Sequence, residues 1–298
     1  MNVLITGVAG FIGSRLAEAL LGHGHSVAGI DDLSTGRLGN VPDGVQFAHG
    51  DIRDPWFPPE QWDLIYHCAA SYKDRDDWAR DASTNVLGTI NVVREAQRTG
   101  ARLVYFQTSL CYGLAPDSPV PLGAPLAPRG SYAVSKTAGE RYIADSGVEY
   151  VSLRLANIYG PRNLSGPIPT FYQRLTEGKP VTIVDARRDF VFIDDLVWVA
   201  VKAGSKGTGP YHVASGSDVS IAEVYAAVAS AMGLDASIPD VQPRGPDDAP
   251  SILLDPSETE RAYGWTARTP LATGIARAVE WYQENGVTET YTHLQVKG

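Results

Sequence analysis

Residues Val3-Leu4-Ile5-Thr6-Gly7-Val8-Ala9-Gly10-Phe11-Ile12-Gly13 decide how the rest of the chain is read. Val3 to Ile5 predict a short buried strand, the glycines a turn, and the apolar spacing over 14–21 a helix. Strand, glycine turn and helix in that order make G-x-x-G-x-x-G a phosphate site. Gly7 allows the tight turn, Gly10 lets the backbone approach a pyrophosphate, and Gly13 permits close packing of helix on sheet. The helix N-terminus then faces the anion, so Gly7, Gly10, Phe11, Ile12 and Gly13 are expected to hold a dinucleotide.

Outward from this unit the pattern repeats. A second strand over 25–30 ends at Asp31-Asp32. An acid at that tip accepts from both adenosine ribose hydroxyls and repels a 2'-phosphate, which predicts NAD rather than NADP, with Arg37 lying past the ribose. A third strand over 45–48 leads to Gly50-Asp51-Ile52, and a fourth over 64–70 ends in Ala69 and Ala70, small enough for a cofactor to lie against backbone. A helix over 85–98 and a fifth strand over 103–106 follow. Strands alternating with helices specify an α/β fold, a doubly wound parallel Rossmann sheet covered on both faces. From about Gly160 the composition turns to Pro, Gly and short helices, as expected of a smaller substrate-binding lobe over 160–298. The Rossmann domain would span 1–159, with 188–213 returning to it through a strand at Tyr211-His212-Val213.

Composition sets the limits. The chain has 298 residues and a net charge of -9, against a nucleic-acid partner, although a few arginines suffice for a pyrophosphate. Two cysteines, Cys68 and Cys111, form no disulfide framework and no metal spacing. The N-terminus reads as a strand rather than a signal segment, and no apolar run would span a bilayer, so a cytoplasmic protein with no membrane partner is expected.

The chemistry centres on Ser131-Tyr132-Ala133-Val134-Ser135-Lys136. Four residues is about one helical turn, so the phenol and the ammonium share a face. A fixed cation favours the phenolate, which can then take a proton from a substrate alcohol while the dinucleotide accepts the hydride. Thr108, at the carboxyl edge of the fifth strand, is placed for its hydroxyl to bridge that alcohol and Tyr132. The charged run from Lys73 to Trp78 follows the fourth strand at the edge where open sheets bind ligands, although most such runs are solvated loops.

These residues resemble the extended short-chain dehydrogenase/reductase family, in particular its NAD-dependent nucleotide-sugar epimerases and dehydratases. The likeness runs through Thr6-Gly7 to Gly13, Asp31, Asp51-Ile52, His67 to Ala70, Asn85, Thr108, Tyr132 with Lys136, Arg154 with Asn157-Ile158-Tyr159-Gly160-Pro161, and Arg188-Asp189 through Asp194-Asp195. The resemblance implies that Asp51 and Ile52 hold the adenine, that Ala69 and Ala70 line the cofactor, and that Asn85 supports the active-site helix. Lys136 would also bond the nicotinamide ribose. Asn157, Arg188, Arg244 and Asp247 would meet the substrate's diphosphate, although Arg244-Gly245-Pro246-Asp247 departs from the family's Arg-Pro-Gly-Asp. A homodimer through two helices of each subunit is usual in the family.

Once C4 of the sugar is a ketone, 4-epimerisation, elimination or release are all open. The common 4,6-dehydratases carry Asp-Glu after the Thr, whereas this chain has Ser109 and Leu110. Elimination would need a base near C5, for which Cys111, Lys73 and Asp74 are the candidates, with Cys111 alternatively a small buried hydrophobe. The chain as a whole resembles antibiotic-pathway UDP-N-acetylglucosamine 5,6-dehydratases, which implies elimination across C5 and C6 with hydride returned to C4. The residues do not separate that outcome from 4-epimerisation. A non-catalytic NAD-binding scaffold would have no need of Thr108, Tyr132 and Lys136.

Overall fold

The computed structural model describes residues 1–72, 74, 76–114, 118–235, 237–244, 249–287 and 289–291. Its first half alternates as expected: β1 (Asn2–Thr6), α1 (Phe11–Gly22), β2 (Ser26–Asp31), β3 (Gln46–His49), β4 (Leu64–His67), α2 (Trp78–Asp81), α3 (Thr89–Thr99), β5 (Arg102–Thr108), α4 (Ser131–Asp145) and β6 (Tyr150–Leu155). Then come β7 (Asn157–Tyr159), α5 (Pro167–Thr176), β8 (Ile183–Val184), β9 (Arg187–Arg188), β10 (Phe190–Phe192), α6 (Ile193–Ala203) and β11 (Gly209–Val213). The chain continues through β12 (Val219–Ser220), α7 (Ile221–Ala231), β13 (Val241–Gln242), β14 (Ser251–Ile252), α8 (Ser257–Tyr263) and α9 (Leu271–Asn285).

Seven parallel strands form the main sheet in the order β11-β6-β5-β4-β1-β2-β3. Alternation along β1 sends Val3 and Ile5 into one apolar cluster with Leu16 and Leu20 of α1 and Leu196 and Val199 of α6. Leu4 points the other way, to meet Ile30, Ile65, Leu103 and, from α3 and α4, Val92, Ala96 and Ile143. Burial on both faces explains why the strands are continuous apolar runs. The direction of winding reverses between β1 and β4, and the crevice outside their carboxyl ends is where an open sheet of this kind takes its ligand.

Three boundaries differ from the sequence reading by three residues or more. Helix α1 begins at Phe11 rather than Ser14, because Gly10 already accepts from Ser14 N at 3.1 Å. Strand β4 stops at His67, and the chain then turns so that Ala69 N donates to Thr6 Oγ1 at 3.3 Å. The helix expected over 85–98 starts earlier, with α2, and passes through a π-helical turn, Ala82–Gly88, before α3. Such a turn carries one extra residue per loop of hydrogen bonding and re-aims the side chains on it. Among the described residues no helix is long and apolar enough to cross a membrane.

Candidate active site

The glycine turn is built by close contact. Gly7 has φ +73, and a Cβ there would lie 2.7 Å from Ala69 N; a Cβ on Gly13 would lie 2.1 Å from Gly7 O. Neither position accepts a side chain without moving backbone. Helix α1 has no side chain capping its N-terminus and no acid in its first turn, so the N–H groups of Phe11, Ile12 and Gly13 remain for an anion. Asp31, nearly buried at the tip of β2, accepts from Ala9 N at 2.9 Å and Leu33 N at 2.8 Å. Each carboxylate oxygen keeps a lone pair for a ribose hydroxyl. Burial pushes its pKa up, and the two backbone donors pull the other way. A cradle closed to Cβ atoms, an open helix N-terminus and an acid at the second strand's tip fit a dinucleotide.

The adenine side is less uniform. Asp51 pairs with Arg53 through Nε at 2.8 Å, and the side-chain bond from Arg53 holds its carboxyl below the usual range. Ile52 buries its side chain in the core, with its carbonyl accepting from Asn91 at 3.0 Å, so its backbone rather than its side chain is left to face a base. Asn85 is buried and makes three side-chain hydrogen bonds. Its amide donates to Ser71 O at 2.9 Å and Ser135 Oγ at 3.0 Å, and it accepts from Ser71 N at 2.8 Å. Ser135 Oγ in turn donates to Tyr132 O at 3.0 Å, so the π-helical turn is tied to the first turn of α4.

Tyr132, Lys136 and Glu140 follow one another at four-residue steps on α4. Lys136 is 2% exposed, with Nζ 3.9 Å from the centre of the Tyr105 ring, a cation–π contact. Burial lowers its pKa to about 7, opposed by Cys68 and Glu140. Burial likewise pushes the Tyr132 phenol up, with Tyr72 and Asp81 acting in the same direction. The expected lowering of the phenol by the ammonium is therefore corrected for the free protein. Desolvation favours the neutral form of each group. Thr108, half-buried at the end of β5, accepts from Leu110 N at 3.2 Å, and its hydroxyl hydrogen has no acceptor among the described residues.

Cys111 is corrected from a candidate base to a packing residue. It has no exposed surface, lies in the apolar core, and its thiol is pushed up to about 12 by burial, so it meets no cleft and stays protonated at neutral pH. Lys73 and Asp247 lie outside the described residues. Asp74 is exposed and accepts from Asp76 N at 2.9 Å, while Asp77 caps α2 by accepting from Arg80 N at 2.9 Å.

Pairing of β7 with β10 sets Asn157 opposite Phe190, two residues from Arg188. Asn157 donates to Asp189 O at 3.0 Å, and Asp189, fully buried, accepts from Ser215 N and Gly216 N. Arg188 donates through Nη1 to Arg187 O at 2.7 Å and Ala249 O at 2.9 Å. Arg244 approaches Asp185, on the segment between β8 and β9. Strand pairing thus joins Asn157 to the segment that carries Arg188, and Arg244 meets Asp185 on that same segment.

Some neighbours of the site were not legible as such. Glu140 accepts from Arg154 Nε at 3.1 Å and Nη2 at 3.0 Å, and Arg154 Nη1 donates to Tyr112 OH at 2.7 Å. The four-residue step after Lys136 was the available signal for Glu140. Tyr72 stands edge-on to Tyr132, with ring centres 6.4 Å apart, a contact between the segment after β4 and the head of α4 that no local pattern announces.

Over this geometry the comparisons with known proteins agree. The chain is similar to the Bordetella bronchiseptica enzyme WbmH, solved with NAD+, at 48% identity and a TM-score of 0.92 over 96% of this chain and 99% of that one. The B. bronchiseptica enzyme WbmG, solved with NAD and UDP, matches at 41% identity and 0.88 over 98% of each chain. The UDP-glucose 4-epimerase of Mycolicibacterium smegmatis is 34% identical over 95% of this chain and 99% of its own length. Residues 3–214 match the model of the NAD dependent epimerase/dehydratase family. With the glycine turn, Asp31 and the Tyr132–Lys136 pair all inside that span, the chain belongs to the NAD dependent epimerase/dehydratase family.

Proposed function

We propose that the protein epimerises a UDP-sugar at C4, a UDP-hexosamine being favoured, through a transient 4-ketone with NAD as cofactor. One observation carries this reading. The head of α4 and the end of β5 offer groups to manage the proton of a C4 hydroxyl, while Ser109, Leu110 and the buried Cys111 stand where an elimination would draw on an acid and a base. When bound, the oxidised nicotinamide supplies a positive charge and the acceptor for the hydrogen leaving C4, and gives that hydrogen back. Tyr132 takes the hydroxyl proton. Thr108 holds the same oxygen by donating its own hydroxyl hydrogen. Lys136, when it carries its proton, stabilises the phenolate from a buried position where water does not screen the attraction. Asn157, Arg188 and Arg244 hold the diphosphate end, guanidinium matching phosphate through paired N–H donors. Turning of the ketone before the hydrogen returns inverts C4, and no further base is required.

A second reading, 5,6-dehydration with loss of the C6 hydroxyl, is favoured by the ionisable stretch after β4, where Asp74 is exposed beside Lys73 in sequence. Incubation with UDP-N-acetylglucosamine and a small panel of UDP-sugars in deuterated water, read by mass spectrometry, separates the two. Epimerisation gives an isomer of unchanged mass without solvent deuterium on carbon. A product lighter by one water, its alkene carbon C5 without hydrogen and its C4 hydrogen the original one, would transfer the assignment to the dehydratase.

The protein is read as a cytoplasmic homodimer, in keeping with two free cysteines. The π-helical turn and α4 pack together and expose Leu87 at 58%, Val134 at 50% and Tyr142 at 52%, an apolar surface suited to a second copy.

A further inference from the structure

The glycine turn and the head of α4 are joined by side chains with no exposed surface. Thr6 is the last residue of β1, His67 the last of β4 and Thr89 the first of α3, and all three are fully buried. Thr6 Oγ1 lies 2.8 Å from His67 Nδ1, and His67 Nε2 lies 2.9 Å from Thr89 Oγ1. Elimination fixes the donors in this row. Thr89 Oγ1 is 2.7 Å from Asn85 O, and a carbonyl only accepts, so the one hydroxyl hydrogen of Thr89 is committed there. The hydrogen between His67 and Thr89 must then sit on Nε2. Nδ1 of a neutral ring is an acceptor, and it takes the hydroxyl hydrogen of Thr6, whose oxygen accepts in turn from Ala69 N at 3.3 Å. An imidazolium does not suit the position. Burial disfavours it first, and then the Lys136 ammonium, which lies over the Tyr105 ring that also meets the His67 ring at 5.5 Å.

The far end of the row reaches α4. The Asn85 amide donates to Ser135 Oγ, and Ser135 Oγ donates to Tyr132 O, both at 3.0 Å. Helix α4 is seated on the Asn85–Thr89 bond, where a Cβ on Gly139 would lie 2.7 Å from Asn85 O. From Ala69 N to Tyr132 O every donor therefore faces the same way, an arrangement in which each bond polarises the next. We infer that His67, held as the neutral Nε2–H tautomer, is a positioning residue that couples the glycine turn to Tyr132. Its Nδ1 end sets Thr6 and the turn that receives the dinucleotide; its Nε2 end sets the π-helical turn and, through Asn85, the head of α4. Hydride transfer needs the nicotinamide and the phenol in register at one carbon, and the groups that hold them come from separate strands and helices. The inference rests on the dinucleotide site and on Tyr132 as proton acceptor, and extends both to a residue with no exposed surface.

The test uses the full chain, its histidines isotopically labelled and read by nitrogen NMR with NAD bound, the His67 signals being those lost in His67→Gln. A protonated Nε2 and a bare Nδ1 at neutral pH are expected. Two substitutions then cut the row at one end each. His67→Asn places an amide oxygen near the position of Nδ1 and falls short of Thr89; His67→Gln can offer an amide N–H near the position of Nε2 in place of the acceptor for Thr6. With UDP-N-acetylglucosamine as substrate, His67→Asn should lower turnover about tenfold, the scale of one hydrogen bond, with NAD affinity within about twofold of wild type. His67→Gln should do the reverse, weakening NAD about tenfold with turnover at saturating NAD within about twofold. Thr89→Val and Thr6→Val repeat the split from the partners' side where a His67 variant fails to fold, and Thr89→Ser, which keeps the hydroxyl, should recover turnover. A protonated Nδ1, or variants in which affinity and turnover fall together, would overturn the coupling. A wild-type chain that binds NAD with the expected tautomer yet converts no UDP-sugar would overturn the proposed function instead, and the loss of NAD affinity in His67→Gln and Thr6→Val would still decide the coupling at the glycine turn.

Discussion

The buried face of α4 treats charge in two ways within two helical turns. At its head Lys136 is buried against an aromatic ring, with no carboxylate at ion-pair distance among the described residues, and its affinity for a proton falls. One turn on, Glu140 meets Arg154 through two hydrogen bonds, Ser152 and Gln107 add donors to the same carboxylate, and the Arg154 proton is held more tightly than usual. A paired buried charge with its remaining lone pairs filled serves the fold. An unpaired one is unfavourable in the free protein and becomes useful only when a substrate or cofactor changes the charge beside it. The contrast teaches which buried cation to regard as structural and which as poised for chemistry.

The comparison can be broken most forcefully at the phenol. Tyr132→Phe keeps the ring and should lower turnover of the UDP-sugar by about 10²–10⁴-fold, with NAD still bound when the protein is denatured and its small molecules weighed. Unchanged turnover would remove Tyr132 from the reaction. At the paired end, Glu140→Ala leaves the Arg154 guanidinium buried without its carboxylate and should cost about 3–5 kcal/mol in urea unfolding. A cost below about 1 kcal/mol would mean that the pair behaves as an exposed one.

The smallest effect sharpens the unpaired end. Lys136 titrates near 7 in the fold against an ordinary 10.5, so between those values the unfolded chain holds a proton that the folded chain lacks. Its contribution to stability is unfavourable below about pH 7 and improves as pH rises through that window. The phenols of Tyr72, Tyr105 and Tyr132, all pushed up by burial, act oppositely, but only above their ordinary value of 10. In NAD-free protein, Lys136→Met should therefore flatten the rise in unfolding free energy between pH 7 and 10. An identical slope in both proteins would show that the ammonium is not desolvated.

Comparison of sequence and structure follows the same division. The strand–glycine–helix unit, Asp31 and the Tyr132–Lys136 spacing were legible because each depends on neighbours in sequence: a turn that excludes Cβ atoms, a strand tip, one helical turn. Cys111 was not, since identical local surroundings suit a base beside a cleft or a thiol in a core, and only burial distinguishes them. The charge state at the head of α4 was misread for a related reason. Spacing shows that a cation is near, whereas the dielectric that decides whether proximity or desolvation prevails is set by Tyr105, Cys68 and the sheet beneath.

Sequence by itself determined the doubly wound sheet, the dinucleotide turn and the identity of the candidate proton-transfer groups, because periodicity and steric exclusion act over a few residues. The tertiary structure alone decided that the strand expected at Tyr211 to Val213 takes its place beside β6, that the π-helical turn aims Asn85 at Ser71 and Ser135, and that the Tyr72 ring meets that of Tyr132. Each of those joins residues far apart in the chain, and their contact is fixed by strand order and burial rather than by any local preference.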